Sequence, residues 1–255
     1  MAIGIGIITY NRQRELIRTA GAVMWHTKLP YYLVVADDGS TDDTVDHCKV
    51  GGVNVVTGTN RGVCWNKNRA LHALLKYTDA DPIILLEDDC YPTKIGWESE
   101  WIRAAKLHHH VNYAHTAWPA NWCRGGSGTA DDPWLTWEIT GQATVTSREA
   151  LTRVGYLNSK FKGYGYGHIE WTERFCKLGF IKRNSVPCMR GDLVMEEAKT
   201  FRNLDDMYRN CALAEDLRQR PVTCWPPCHK EELQTLNDEV YAGCCLDEHR
   251  LTRRG

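Results

Sequence analysis

The chain has 255 residues, 43% of them hydrophobic and 25% charged, with a formal charge of -1. That is enough apolar material for a full core, and the neutral balance gives no global attraction for a polyanion, so a nucleic-acid role would need a local basic patch. Eleven cysteines, an odd number scattered through regular segments, fit a reduced cytoplasmic protein better than a disulfide framework, and no stretch approaches the roughly 20 apolar residues of a membrane span.

In chain order, Ile3 to Thr9 reads as a buried strand, and the polar run after Asn11 opens a helix to about His26. Tyr31 to Ala36 is a second strand ending on Asp37 and Asp38, and Ser40 or Asp42 is placed to cap a helix running toward Lys49. Val53 to Thr57 is a third strand, followed by a Gly62-containing loop and a helix from about Val63 to Tyr77. Then Ile83 to Leu86 form a strand that stops abruptly at Glu87, Asp88 and Asp89. Three adjacent acids repel one another. A divalent ion such as Mn²⁺ or Mg²⁺, itself carrying a diphosphate, would offset them, and the C-terminal ends of parallel strands are where ligands bind. The plainer alternative is a solvated acidic turn. The strand and helix alternation predicts an α/β, doubly wound, mostly parallel sheet with right-handed crossovers and a C-terminal helical extension.

The strand ends Thr9-Tyr10-Asn11-Arg12 and Asp37-Asp38-Gly39-Ser40, the loop Asn60-Arg61-Gly62 and the run Glu87-Asp88-Asp89 together resemble GT-A fold (Rossmann-like) glycosyltransferases, above all family 2. The resemblance implies that Thr9, Tyr10, Arg12, Asp37, Asp38, Asn60, Gly62, Lys67, Glu87 and Asp88 hold a nucleoside diphosphate sugar, a UDP-sugar in the first place, and that Asp89 and Glu87 bind the metal. Lys67 stands where that family usually has arginine, which keeps a charge for a phosphate but loses the bidentate fork.

Lys94 to His110 reads as a helix whose Trp97 and Trp101, four apart, pack inward. After a strand at Val111 to Thr116, a tryptophan- and glycine-rich stretch containing Trp118 and Trp137 reads as a loop that gates or stacks on substrate. A glycine-containing strand at Gly141 to Thr146 and a helix near Arg148 to Val154 follow. Gly163, Gly165 and Gly167 then alternate with Tyr164 and Tyr166 ahead of a helix carrying Glu170 and Trp171, which suits close approach to an acceptor. The acceptor half of the family usually shows Glu-Asp at this turn; here Gly167-His168 replaces it, leaving His168, Glu170 and Asp88 as the catalytic candidates. The second half is also similar to polypeptide N-acetylgalactosaminyltransferases, whose metal-ligating histidine is replaced in this alignment by Asp192, a third expected metal contact.

The expected organisation is a nucleotide-sugar half at residues 1–110, an acceptor half at 111–199 and a helical extension at 200–255. Within the extension, Cys224, Cys228, His229, Cys244 and Cys245 could be assembled into a zinc site, but they lack a strong zinc spacing and the cysteines read first as packed thiols. The activity implied is metal-dependent transfer of a sugar to an acceptor hydroxyl, leaning to retention of configuration. Acceptors include a saccharide, a protein side chain or a hydroxymethylated base of viral DNA; Lys160, Lys162, Lys182, Arg183 and the terminal His249, Arg250, Arg253 and Arg254 are the basic groups favouring DNA. The rivals are a non-catalytic nucleotide-sugar or carbohydrate-binding protein on the same fold, and a nucleotidyltransferase, which would show a basic phosphate loop after the first strand.

Overall fold

The computed structural model describes residues 2–115, 117–191, 193–195, 203–221, 230–243, 251 and 253–255. Its first half alternates as the apolar runs dictate: β1 (Ile3–Thr9), α1 (Gln13–His26), β2 (Tyr31–Asp37), α2 (Thr44–Val50), β3 (Asn54–Val56), α3 (Val63–Tyr77) and β4 (Ile83–Glu87). There follow β5 (Cys90–Pro92), α4 (Glu98–His108), β6 (His110–Tyr113), β7 (Trp134–Thr136), β8 (Ala143–Thr146), α5 (Arg148–Val154) and α6 (Gly167–Lys177). The chain continues through β9 (Val186–Met189), β10 (Leu193–Met195), α7 (Leu204–Gln219), α8 (Lys230–Gly243) and β11 (Arg253–Arg254). Among the described residues, no helix is long and apolar enough to cross a membrane.

β1 lies between β2 and β4, parallel to both, with Thr9 opposite Asp37 and Ile8 opposite Glu87. That register carries the polar ends of three strands to one edge of the sheet. Period-two alternation sorts the apolar residues onto two faces. Ile3, Ile5, Ile7, Leu33, Ile84 and Leu86 join α1 and α4 on one, and Ile8, Val34, Leu85, Leu71 and Trp171 form the other. Trp97 and Trp101 meet edge to face in the first of these cores, with centroids 6.4 Å apart. Gly6 lets α3 approach β1 closely: a Cβ there would lie 2.9 Å from both Ala70 Cβ and Leu85 Cδ2.

Beyond β4 the sheet is mixed. β8 runs antiparallel between β4 and β6, β9 is parallel to β6, and β7 closes the edge antiparallel to β9. Residues on either side of position 110 therefore share one sheet. Two expected starts are late. The helix expected from Lys94 begins at Glu98, after Gly96 has taken φ 77, and the second helix begins at Thr44, with Asp42 accepting the Thr44 amide at 3.2 Å. The C-terminal arginines are a further departure from a solvated tail: Arg253 and Arg254 pair antiparallel with Tyr32 and Tyr31, and Arg254 donates to the Gly52 carbonyl.

His110 is fully buried, its Nδ1 bonded to Thr146 Oγ1 at 2.9 Å and its Nε2 to Thr172 Oγ1 at 3.1 Å, with the ring stacked on Phe175 at 4.0 Å. Burial pushes its pKa from 6.5 down to about 3. As pH falls through that window the unfolded chain takes up a proton that the folded chain refuses, so folding stability should drop by about 1.4 kcal/mol per pH unit from this residue. His72 and His168, also lowered by burial, add to the slope. The diagnostic is therefore a difference: urea titrations from pH 6.5 to 4.5 should give His110→Gln a flatter profile than the wild type, and equal slopes would refute the assignment.

Candidate active site

The acidic end of β4 is divided between two cations. After β1, Asn11 takes φ 51 and turns the chain so that Arg12, just ahead of α1, reaches back across the strand ends. Its Nη1 lies 2.8 Å from Asp88 Oδ1 and 3.0 Å from Asp89 Oδ2. Thr9 Oγ1 donates to Asp88 Oδ2 at 2.7 Å, and Thr19 Oγ1 donates to the Asp88 carbonyl at 2.5 Å. On the other side, Lys67 Nζ donates to Glu87 Oε1 at 3.0 Å and to the Gly141 carbonyl at 2.6 Å. Three carboxylates thus face two cations. Burial pushes Asp88 up to about 7 against the opposing pull of Arg12 and Thr9, and burial followed by the charge of Glu87 raises Asp89. One oxygen stands out: Asp89 Oδ1 is buried and accepts no hydrogen bond from any of the described residues.

The second strand end is built differently. Asp37 accepts from the amides of Gly39 (3.1 Å) and Ser40 (3.0 Å), from the Ser40 hydroxyl, and from Thr57 Oγ1 at 2.6 Å. Asp38 accepts from the amides of Arg61 (3.0 Å) and Gly62 (2.8 Å) and from Arg69 Nη1 at 2.7 Å. Both acids are buried and bonded to neighbouring loops and, for Asp38, to Arg69 of α3, so they shape this edge of the sheet. Tyr10, 45% exposed, and the exposed Asn60 remain open to a ligand, and Gly62 supplies the φ of 91 that starts α3.

Arg69 and Glu239 are site residues that sequence reasoning missed. Arg69 is fully buried, and its Nε and Nη2 donate to the two oxygens of Glu239 on α8 at 2.9 and 3.0 Å. Glu239 Oε2 also accepts from Trp65 Nε1 at 2.9 Å, and Gly58 makes room for it, since a Cβ there would lie 2.3 Å from Glu239 Oε1. A pair separated by 170 positions leaves no local pattern to read.

Gly141 brings the two halves together: a Cβ on it would lie 2.7 Å from Lys67 Nζ, 3.2 Å from Glu87 Oε1 and 3.6 Å from His168 Cβ. His168, at the start of α6, therefore stands beside Lys67 and Glu87. Its Nε2 is 2.6 Å from Asn112 Oδ1, while its Nδ1 is buried without a partner among the described residues. Glu170 is instead held 2.9 Å from Arg174 Nε one turn along, in a buried pair, and burial raises its pKa against the pull of Arg174.

The expected acceptor residues disperse. Trp171 has no exposed surface and donates its indole N–H to the Gly155 carbonyl at 3.0 Å, which makes it core and corrects its placement on a binding surface. Gly167 is likewise buried, where a Cβ would lie 2.2 Å from Cys64 Sγ, so it serves the contact between α6 and α3 and does not face a ligand. Tyr164 and Tyr166 are half-buried on the glycine turn. Trp118 packs edge to face on Trp122 at 5.4 Å, and Trp137, 41% exposed, lies under the Arg124 guanidinium at 4.5 Å. Asp192, Cys224, Cys228, His229, Cys244, Cys245, His249 and Arg250 lie outside the described residues.

Three strand ends bearing acids on one edge of such a sheet define a fold family as well as a site. The sequence profile described as glycosyl transferase family 2 matches residues 5–150, more than half of the chain. The chain belongs to glycosyl transferase family 2. No curated protein sequence matches it. Solved structures share the family 2 chain's fold. The mannosyltransferase PcManGT of Pyrobaculum calidifontis, in complex with GDP-Man and Mn²⁺, aligns with a TM-score of 0.60 at 17% identity over 94% of this chain and 73% of that one. GalNAc-T7 with UDP, GalNAc and Mn²⁺ aligns at 0.60 and 13% identity over 96% of this chain and 55% of that one. TarS 1–349 of S. aureus aligns at 0.57 and 15% identity, with 85% of this chain covering 65% of that one. The family 2 chain thus spans less than two thirds of the GalNAc-T7 and TarS structures. The family match ends at residue 150, so His168, Glu170 and the helices that carry Arg69's partner fall beyond it.

Proposed function

We propose that the protein is a metal-dependent glycosyltransferase that moves a sugar from a nucleoside diphosphate sugar to an acceptor hydroxyl. The observation that carries this reading is the convergence of Asp88, Asp89, Glu87, Arg12, Lys67 and His168 at one edge of the sheet, in a chain of glycosyl transferase family 2. The donor set fits a hard divalent ion. Asp89 offers a buried oxygen with no other partner, and carboxylate oxygens suit Mn²⁺ or Mg²⁺. Among the described residues no three ligating side chains form a cage by themselves, which suits an ion held by one or two carboxylates together with the phosphates of its substrate. Asp89 would hold it, with Glu87 nearby, and the ion would supply charge stabilisation to the departing diphosphate.

The remaining steps belong to the chain's own side chains. Arg12 holds Asp88 and Asp89 together, which keeps Asp89 Oδ1 directed by a fixed carboxylate. Lys67, buried and already bonded to Glu87, places a positive charge beside the leaving group. Tyr10 and Asn60, with open surface at the strand ends, contact the nucleoside. His168 takes the acceptor proton at Nδ1, and Glu170 holds the Arg174 guanidinium, which donates to the Val154 and Tyr156 carbonyls and so fixes α6. A positioned base favours inversion, whereas the similarity to N-acetylgalactosaminyltransferases favoured retention.

The acceptor is assigned only as an alcohol. A DNA base bearing a hydroxymethyl group belongs to that class, but Arg253 and Arg254, counted toward a DNA-binding tail, are used in the sheet edge, which weakens that case. The test is a panel of UDP- and GDP-sugars with Mn²⁺, saccharide, peptide and hydroxymethylated duplex acceptors, and NMR of the product's anomeric centre. Mn²⁺-dependent transfer with inversion is expected. A retained configuration removes His168 as the base, and nucleotide-sugar binding without hydrolysis or transfer would favour a binding protein.

A further inference from the structure

The pair formed by Asn112, inside the family match, and His168, beyond it, carries an inference that rests on the proposed role of His168. We propose that Asn112 is a positioning residue that holds the proton of neutral His168 on Nε2, so that Nδ1 presents its lone pair to the acceptor hydroxyl.

Asn112 sits in the middle of the mixed half of the sheet, on β6 between Thr144 of β8 and Cys188 of β9, and it is fully buried. A side chain so placed has little freedom. Its Oδ1 is an acceptor only, and at 2.6 Å from Nε2 it requires that nitrogen to be the donor. A neutral imidazole has one N–H, so Nδ1 is left bare, and Nδ1 is the buried atom without a partner among the described residues. The surroundings keep the ring neutral. Lys67 and His110 face it, Glu87 beyond them is bonded to Lys67, and burial followed by Lys67 and His110 holds His168 well below the usual range. An amide orients the ring as a carboxylate would, without the negative charge that would favour imidazolium. The Asn112 Nδ2 is also buried and unpartnered. The pair therefore offers one unmatched acceptor and one unmatched donor, the complement in kind of a hydroxyl group.

The tautomer can be read directly in the full-length protein labelled with ¹⁵N-histidine, the His168 signals being those lost in His168→Gln. A pyrrole-type Nε2 and a pyridine-type Nδ1 are expected, and a proton on Nδ1, the state that an Asn112 amide turned end for end would impose, overturns the proposal without any variant of Asn112. In Asn112→Leu the tautomer should become mixed, and kcat for transfer from a UDP-sugar to water with Mn²⁺ should fall about 10- to 100-fold, as for lost outer partners of functional histidines, with donor KM unchanged. In Asn112→Asp the acid limb of the kcat–pH profile should move upward by about one unit or more, because the new charge favours imidazolium. An unaltered tautomer or an unaltered kcat in Asn112→Leu would also overturn it. His168→Gln retaining wild-type kcat sinks the base reading itself while leaving the tautomer result standing, so the two failures are separable.

Discussion

Asp89→Asn should lose about 10³-fold in kcat/KM for the donor while the folded protein becomes no less stable. The loss follows from the ion's share of the chemistry: several kcal/mol of transition-state charge stabilisation corresponds to about three decades of rate at 1.36 kcal/mol each. Asparagine keeps the shape of Asp89 but is a poorer ligand and carries no charge. Stability moves the other way because, among the described residues, three carboxylates face two cations, Arg12 and Lys67, and burial and Glu87 already disfavour the charged form of Asp89. The measurements are steady-state rates with Mn²⁺ and a thermal melt on the same preparation. Asp88→Asn should behave alike in stability, since burial also disfavours its charged form, pushing it up to about 7, and an amide oxygen can still accept from Thr9 and Arg12, so a lowered rate without a lowered melting temperature is expected there too. An Asp89→Asn protein that keeps more than a tenth of wild-type activity would remove the acids after Leu86 from the reaction.

What was legible in the chain follows from the range of the interaction. The parallel strands were readable because their apolar runs are buried on both faces and stop at charged residues, and the register of β1 with β2 and β4 follows once the sheet forms. The pairing of Glu170 with Arg174 is a four-residue helix spacing, visible in sequence, and it competes with a catalytic role for the carboxylate. Trp171 was misplaced for a related reason: the glycine turn before it drew attention to ligands, while its neighbours Phe175 and His110 come from one turn away and from another strand. Asn112 lies in the strand expected at Val111 to Thr116. Its function depends on His168, 56 positions away, and nothing local marks it. The C-terminal segment was read as an appendage for lack of a family pattern, although Leu217, Val240 and Leu251 complete the second core and Glu239 reaches the donor edge.

That last contact leads to the largest expected stability effect. Arg69→Met should destabilise the fold by about 3–5 kcal/mol, the usual result of removing one partner from a buried ion pair. Arg69 has no exposed side-chain surface, and its guanidinium answers two carboxylates, Asp38 at 2.7 Å and Glu239 at 2.9 Å, whose side chains are 6% and 12% exposed. It also donates to the Thr59 carbonyl at 2.7 Å, so four of its bonds tie the loop before α3 to a helix near the C-terminus. Methionine fills much of the volume but leaves Asp38 without its cation and Glu239 with only the more distant Arg61 Nε at 3.9 Å, and at a typical total stability of about 5–15 kcal/mol the variant would sit close to unfolding. Glu239→Gln should cost less, because Asp38 still neutralises Arg69. The double variant separates charge from packing: if uncompensated carboxylates dominate, Arg69→Met with Glu239→Gln should be more stable than Arg69→Met alone, by about 1 kcal/mol or more of coupling. Urea denaturation of the four proteins gives the cycle. Loss of less than about 1 kcal/mol in Arg69→Met would mean that water reaches both acids and that the C-terminal helix does not brace the donor edge.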